Sequence, residues 1–442
     1  MNTKKLQHFI AISIFLMSIL ALKWIGLDNS MKPERVELVN EDGQFFLKCN
    51  GKPFYVKGAG SGYYKMESLA KHGANSLRTW SVNEGEKSGK EILDKAHKLG
   101  LKVCMGIVVG NERWGFDYND EEAVNKQFER IKKEVIELKN HPALLVWGIG
   151  NELNLNYKNK KVWDAVNNIA AMIHKIDPNH PTTTMLAAGA LTKDINLVIK
   201  RCPEIDFLSF QIYGDILNLP KYINESDYRG AYIVSEWGPT GHWEVPKTSW
   251  NRPIEETSHE KAEIYMKRYK KVMLHDSKHC IGSFVFLWGQ KQERTPTWYG
   301  LFLKSGEETE AIDVMHFLWK NEWPENRCPI LQSLTIEGKN ANDNVKLKKG
   351  HQYTANVKVI DPDGDMIKYK WSILPEVPRE KQSEGGDFEQ HTNEVLEYSN
   401  NEFREKFVFS APNPGEYRLF VYASDGKGHA ATANIPFLVI NN

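Results

Sequence analysis

Between residues 54 and 320 the apolar positions follow two alternating rhythms. Short runs such as 101–109, 143–149, 205–213, 231–236 and 281–288 are almost continuously hydrophobic, as strands covered on both faces are. The segments between them place apolar residues at helical spacing. In 121–138, Ala123, Val124, Phe128, Ile131, Val135 and Leu138 share one face. In 162–176, Val162, Trp163, Val166, Ile169, Ala170, Ile173 and Ile176 do the same. In chain order, strands are predicted at 54–57, 75–79, 101–109, 143–149, 182–186, 205–213, 231–236 and 281–288. Helices are predicted at 66–72, 87–99, 121–138, 162–176, 191–200, 259–275 and 310–320, with a short helix or loop at 215–225. Eight β-α units in about 265 residues predict a (β/α)8 barrel rather than an open doubly wound sheet. Ahead of it, 36–58 reads as one or two hairpins, turned at Asp42-Gly43 and Asn50-Gly51.

The rhythm changes near 324–329. Beyond it, period-2 strands are predicted at 353–359, 367–373, 404–409, 417–421 and 430–440. Asp363-Gly364, Gly385-Gly386, Pro414-Gly415 and Asp425-Gly426 separate them. The expectation is a barrel over 36–323 and a small all-β, immunoglobulin-like sandwich over 330–442. Asp361, Asp363 and Asp365 carry two readings, a calcium site at a domain edge or a polar turn. At the other end, Lys4 and Lys5 precede the uncharged run 9–22. Segment 1–27 therefore reads as a signal peptide or an uncleaved membrane anchor, and export is expected.

Composition narrows the function. Fifty-seven Lys and Arg balance fifty-seven Asp and Glu, so no global field points to nucleic acid. The five cysteines have no CxxC spacing and no His partner in a zinc pattern. No metal or cofactor is expected: GAGSG at 58–62 fits neither a dinucleotide nor a nucleophile-elbow motif, and its glycines are expected to let a strand-end loop approach the substrate. His259-Glu260 lacks the second histidine of a metalloprotease helix. Thirteen Trp and seventeen Tyr supply flat surfaces on which sugar rings pack.

In such a barrel functional groups gather at the C-terminal ends of the strands. Those ends carry Arg78-Thr79-Trp80, Asn151-Glu152, Gln211 and Tyr213, Glu236-Trp237, and Trp288. A carboxylate closing a buried strand is costly without a partner or a task. Two of them, on the fourth and seventh strands, would face each other across the mouth. Glycoside hydrolysis needs such a pair. Glu84, Glu112, Glu244 and Glu293 also fall in loops on this face, but none ends a strand pattern.

RTW, WGIGNE, SFQIYGD and YIVSEWG, in this order, resemble the clan A glycoside hydrolases. The nearest types are the TIM-barrel catalytic domains of family two β-glycosidases and the family five β-glucanases and β-mannanases. The resemblance implies a retaining double displacement with Glu152 as general acid/base and Glu236 as nucleophile, their carboxyls about 5–5.5 Å apart. It implies that Asn151 meets the 2-hydroxyl of the sugar, and that Arg78 and Tyr213 support the charged form of Glu236. Glu152 is expected to start protonated, its pKa raised by burial and nearby negative charge. Trp80 and Trp288 are expected in the sugar site, with Trp288 as its floor, and Trp114 and Trp243 at outer subsites. Family five enzymes usually carry His two residues before the strand-six Tyr, where this chain has Gln211. The two sandwiches that usually precede the barrel in family two are not seen here.

IDPDGDMIKYKW and GEYRLFVYASDGKG resemble PKD-like and cadherin-like modules of extracellular bacterial enzymes, which implies a spacer, docking or carbohydrate-binding role. The expected activity is hydrolysis of a β-glucan or β-mannan type of oligo- or polysaccharide. A transglycosylase with the same residues and a non-catalytic glycan-binding surface protein are the alternatives, and loss of one carboxylate would mark the latter.

Overall fold

The computed structural model describes residues 33–382, 389, 391–393, 395–398 and 404–441. The expected targeting segment 1–27 lies outside them. The chain opens with the strands β1 (Val36–Glu41), β2 (Gln44–Cys49) and β3 (Lys52–Pro53). Asp42-Gly43 and Asn50-Gly51 both turn with φ positive at each residue, the geometry that two-residue hairpins require.

Eight parallel strands then close a barrel: β4 (Val56–Ser61), β5 (Ser76–Arg78), β6 (Lys102–Ile107), β7 (Leu144–Asn151), β8 (Thr182–Ala187), β9 (Phe207–Gln211), β10 (Tyr232–Trp237) and β11 (Cys280–Trp288). The helices around it are α1 (Met66–Lys71), α2 (Gly89–Lys98), α3 (Glu121–Leu138), α4 (Lys161–Ile176), α5 (Leu191–Arg201), α6 (Leu219–Glu225), α7 (Ser258–Arg268) and α8 (Glu310–Lys320). The predicted helix 259–275 is α7 continued by a π-helical turn, Tyr269–Met273. Side-chain caps fix three helix starts: Ser88 and Thr257 form capping boxes with Glu91 and Glu260, and Asp120 accepts from Ala123 N.

The N-terminal hairpin closes the lower mouth of the barrel. Leu38, Phe45, Leu47 and Phe54 pack with Leu145, Phe207, Ile281 and Phe284 from inside it. One functional reading changes here. Gly58 and Gly60 belong to β4 itself, and the first strand starts later than 54. A Cβ on Gly58 would sit 2.5 Å from the Phe284 ring, and one on Gly60 would sit 2.6 Å from the Trp80 ring. These glycines make room for barrel side chains, not for substrate.

Beyond the barrel lie β12 (Ile330–Ile336), β13 (Lys346–Lys348), β14 (Gln352–Ile360), β15 (Lys368–Pro375), β16 (Leu396–Tyr398), β17 (Lys406–Ser410), β18 (Gly415–Ser424) and β19 (Ala430–Ile440). They form a three-stranded sheet, β12-β14-β17, and a five-stranded sheet, β13-β19-β18-β15-β16. Trp371, Phe407, Leu419 and Ile435 are among the residues filling the space between them. The fold is a TIM barrel followed by a β-sandwich. The aspartates of the DPDGD turn are engaged locally: Asp361 accepts from the amides of Asp363 and Asp365, Asp363 from Arg327 N, and Asp365 pairs with Lys427. All five cysteines, Cys49, Cys104, Cys202, Cys280 and Cys328, are buried free thiols.

Candidate active site

The C-terminal ends of the barrel strands surround a cleft of about 480 Å³. Trp80, Asn151, Glu152, Tyr213 and Glu236 line it, together with Trp114 and Trp243. Trp114 and Trp243 are 60% and 52% exposed, so their rings stand at the rim; the Arg113 guanidinium lies over the Trp114 ring, 4.5 Å from its centroid.

Glu236 ends β10 inside a shell of donors. Arg78 Nη1 from β5 lies 2.7 Å from its Oε2, and Trp80 Nε1 donates to the same oxygen at 3.2 Å. Tyr213 Oη donates to Oε1 at 2.8 Å. Burial and the Glu236 charge push the Tyr213 phenol well above its usual pKa, so it stays a neutral donor. The other nitrogen of the guanidinium, Nη2, donates to Asn151 Oδ1. One buried cation thus aligns the strand-end residues of β5, β7 and β10.

Glu152 follows β7 in a left-handed backbone conformation, φ 52°. Only asparagine, aspartate and glycine visit that region readily, so the turn presents this side chain at a local cost. Arg113 Nη2 lies 3.4 Å from its Oε2. Burial raises its pKa to about 7, the neighbouring Glu236 charge adds to the shift, and Arg113 and Arg78 oppose it.

Gln211 joins the two carboxylates. In one amide orientation Nε2 donates to Asn151 Oδ1 at 2.8 Å and reaches Glu236 Oε2 at 3.4 Å. In the other it donates to Glu152 Oε1 at 2.9 Å and accepts from Arg78 at 2.7 and 3.0 Å. An amide serves either protonation state of Glu152, because it offers both a donor and an acceptor.

Trp288 requires a correction. It is fully buried outside the barrel wall, against Phe302 and Trp319. Against β4, Val285 pairs with Ala59 and Trp288 with Ser61, so β11 carries one extra residue there. That bulge reverses the facing of the residues after it. Phe286 and Leu287 line the cleft instead.

Other residues reach the cleft without a sequence signal. Arg113 is one. Lys291 is another; it pairs at 2.6 Å with Glu293, the one of the four loop carboxylates named from the sequence that lines the cleft, and Glu293 also meets His242 at 3.1 Å. The remaining loop carboxylates hold backbone: Glu84 accepts from Tyr63 N, Glu112 from Lys158 N and Asn159 N, and Glu244 from Gly214 N, Asp215 N and Gly241 N. Among the described residues no cluster of three or more His, Cys, Asp or Glu is arranged to hold a metal ion.

Residues 69–242 match the family model described as glycosyl hydrolases family 2, TIM barrel domain. The matched stretch holds Arg78, Asn151, Glu152, Gln211, Tyr213 and Glu236. Over this stretch the barrel is similar to that domain. Among solved structures, an FMN-binding β-glucuronidase from Facaelibacterium prausnitzii L2-6 aligns with 92% of this chain and 59% of its own, at 16% identity and a TM-score of 0.51. A β-glucuronidase from Parabacteroides merdae aligns with 92% of this chain and 51% of its own, at 12% identity and a TM-score of 0.45. One from Ruminococcus gnavus covers 65% of this chain and 53% of its own, at 15% identity and a TM-score of 0.48. The first of these likenesses shows the shared fold. The chain spans between half and three-fifths of the length of these structures.

Proposed function

We propose that the protein is an exported retaining β-glycosidase acting on an uncharged β-linked glycan of the β-glucan or β-mannan type. The observation that carries this is the contrast between two carboxyls at one barrel mouth. Glu236 is ringed by donors and a guanidinium, while Glu152 is desolvated with a pKa of about 7. In the first step a Glu236 oxygen bonds to the anomeric carbon as the glycosidic C–O bond breaks, and the Glu152 proton passes to the leaving oxygen. The glycosyl ester removes the Glu236 charge, and with it the second cause of Glu152's raised pKa. Glu152 then takes a proton from water as that water attacks the same carbon, and Glu236 leaves as carboxylate. Asn151, fixed by Arg78, is offered to the 2-hydroxyl.

The preference for a neutral sugar rests on charge matching. The cations lining the cleft, Arg113 and Lys291, each face a carboxylate, Glu152 and Glu293. A uronic acid would have to displace one of them. The rim tryptophans Trp114 and Trp243 suit an extended chain. Export rests on the apolar run 9–22 behind Lys4 and Lys5.

The test is a screen against β-glucans, β-mannans, β-galactans, β-glucuronides and aryl β-glycosides, run beside Glu236→Ala. Cleavage of a neutral glycan with retained anomeric configuration, lost in the variant, is the expected result. Glycan binding equal in both proteins with no cleavage would leave only a scaffold role.

A further inference from the structure

One wall of the cleft is built from two loops, 238–257 after β10 and 289–309 after β11. The first carries His242 and Trp243, the second Lys291, Glu293 and Tyr299. The loops are tied to each other: His242 meets Glu293, His242 N donates to Tyr299 Oη at 3.2 Å, and Trp298 Nε1 donates to Thr240 O at 3.0 Å.

Behind this wall stands the sandwich. Glu255, a buried carboxylate of the first loop, accepts from Lys261 Nζ at 2.6 Å. It also accepts from Thr295 Oγ1 at 2.6 Å and Thr297 Oγ1 at 2.8 Å on the second loop, and from Asn434 Nδ2 of β19 at 2.7 Å. Burial alone would raise its pKa, yet Lys261 most strongly, then the Thr295 hydroxyl and the Arg418 charge, hold it below the usual value. Arg418 of β18 donates to Asn434 Oδ1 at 2.7 Å and to Pro253 O at 2.8 Å, and pairs with Glu376. Arg252 of the first loop pairs with Glu416 and donates to Val377 O at 2.9 Å. A second strut reaches the other loop. Glu389 accepts from Arg294 N at 2.6 Å and from Arg294 Nη1 at 2.7 Å. Arg294 has φ 61° and tips a tight turn in which Glu293 and Thr295 exchange backbone hydrogen bonds. That turn presents Glu293 to the cleft.

A domain that served only as a spacer would need its own core and a linker. Buried ions cost desolvation, and a satisfied network of them specifies geometry more than it adds stability. Here the satisfied groups converge on the two loops that shape the cleft. We propose that the C-terminal sandwich is a working part of the glycan site, with Asn434 and Glu389 as positioning residues. They act through Glu255 and Arg294 on the wall carrying Trp243, Lys291, Glu293 and His242. What this wall binds rests on the proposed function; that the sandwich sets its position does not.

The experiment compares the wild-type protein with Asn434→Ala and the conservative Glu389→Gln. Hydrogen exchange is followed in 241–252 and 290–298, and kinetics are measured on the cleaved glycan and on an aryl β-glycoside. Asn434→Ala is expected to speed exchange in both segments while β4–β8 keep wild-type protection. KM for the glycan rises about five- to tenfold, with kcat on the aryl glycoside within about twofold. Glu389→Gln, which keeps an acceptor for Arg294 N, shows the smaller change, confined to 290–298. Unchanged exchange in both loops would overturn the proposal. So would faster exchange across the whole barrel with kcat falling equally on both substrates, which is general destabilisation. A wild-type protein that cleaves nothing would overturn the functional reading instead, and the exchange comparison would still judge the wall.

Discussion

Glu236 and Glu152 face one cleft, yet their surroundings differ in kind. Glu236 sits among donors supplied by another strand end and the segments just beyond the strands: Arg78, Trp80 and Tyr213. Glu152 has one cation at 3.4 Å and an amide shared with its neighbours, too few partners to offset its burial. Under the proposed function the same side chain would serve two tasks, Glu236 as nucleophile and Glu152 as proton donor. The difference lies in what each strand end is packed against, because the residue type is identical.

The largest effect should come from removing the charged member of the pair. Glu236→Ala is expected to lower kcat on an aryl β-glycoside on the order of 10⁴-fold or more. Residual turnover near wild type would mean the roles are wrongly divided. Glu152→Ala should cost about 10²- to 10⁴-fold on the glycan, the range of general acid–base catalysis. On an aryl glycoside with a good leaving group the loss in the first step should be much smaller, since that oxygen leaves without a proton. Equal losses on both substrates would break the assignment of Glu152 as acid.

A finer test sharpens the contrast through pH. The acid must be protonated in the first step, so kcat/KM should fall as pH rises through about 7. Arg113 lowers the Glu152 pKa, so Arg113→Met should move this basic limb upward. A limb that stays in place or moves down would mean that Arg113 does not act on Glu152.

Glu310 supplies the control. Burial raises its pKa from 4.5 to about 7 as well, against the pull of His259, but it lies on α8 away from the cleft. If a raised pKa alone made an acid catalyst, Glu310 would qualify. Its expected signature is in stability. A carboxyl whose folded pKa is raised binds more protons folded than unfolded, so its contribution is present below about 4.5 and is lost as pH rises through about 7. Glu310→Gln should flatten the fall in Tm across that window and leave kcat and its pH profile unchanged. A Tm–pH curve parallel to that of the wild type would contradict it.

Much of this is legible in the chain because local pattern and global fold agree. The apolar runs mark the barrel strands, and their ends mark Arg78, Asn151, Glu152, Tyr213 and Glu236, since side chains at one barrel mouth converge whatever the loops do. Trp288 defeats the pattern because a bulge is a property of pairing between strands, invisible in one of them. The first strand reads as ending early, at 57, because Gly58 and Gly60 look like loop, while their reason for being glycine is a ring brought in from elsewhere in the barrel. Arg113 sits in a single 3-10 turn, Glu112–Trp114, and Lys291 and His242 in irregular loops, all too short to carry a periodicity that marks facing. The sandwich strands β12 and β13 escape the period-2 signal: β12 has a register shift that blurs its alternation, and β13 is three residues long. Nothing local announces that Asn434 meets Glu255 at a distance of nearly two hundred residues along the chain.

The five buried thiols have a practical reading. Cys49 lies in the lower plug at the end of β2, Cys104 inside the barrel, Cys202 after α5, Cys280 at the start of β11, and Cys328 at the seam with the sandwich. Burial pushes their pKa values up, to about 11 for Cys49 and about 12 for Cys104, Cys202 and Cys280, so the intact molecule offers almost no thiolate to an alkylating reagent. Each cysteine becomes reactive only when its own region opens. The protein thus carries five internal clocks, and the order in which they are labelled would trace the route by which plug, barrel and seam come apart.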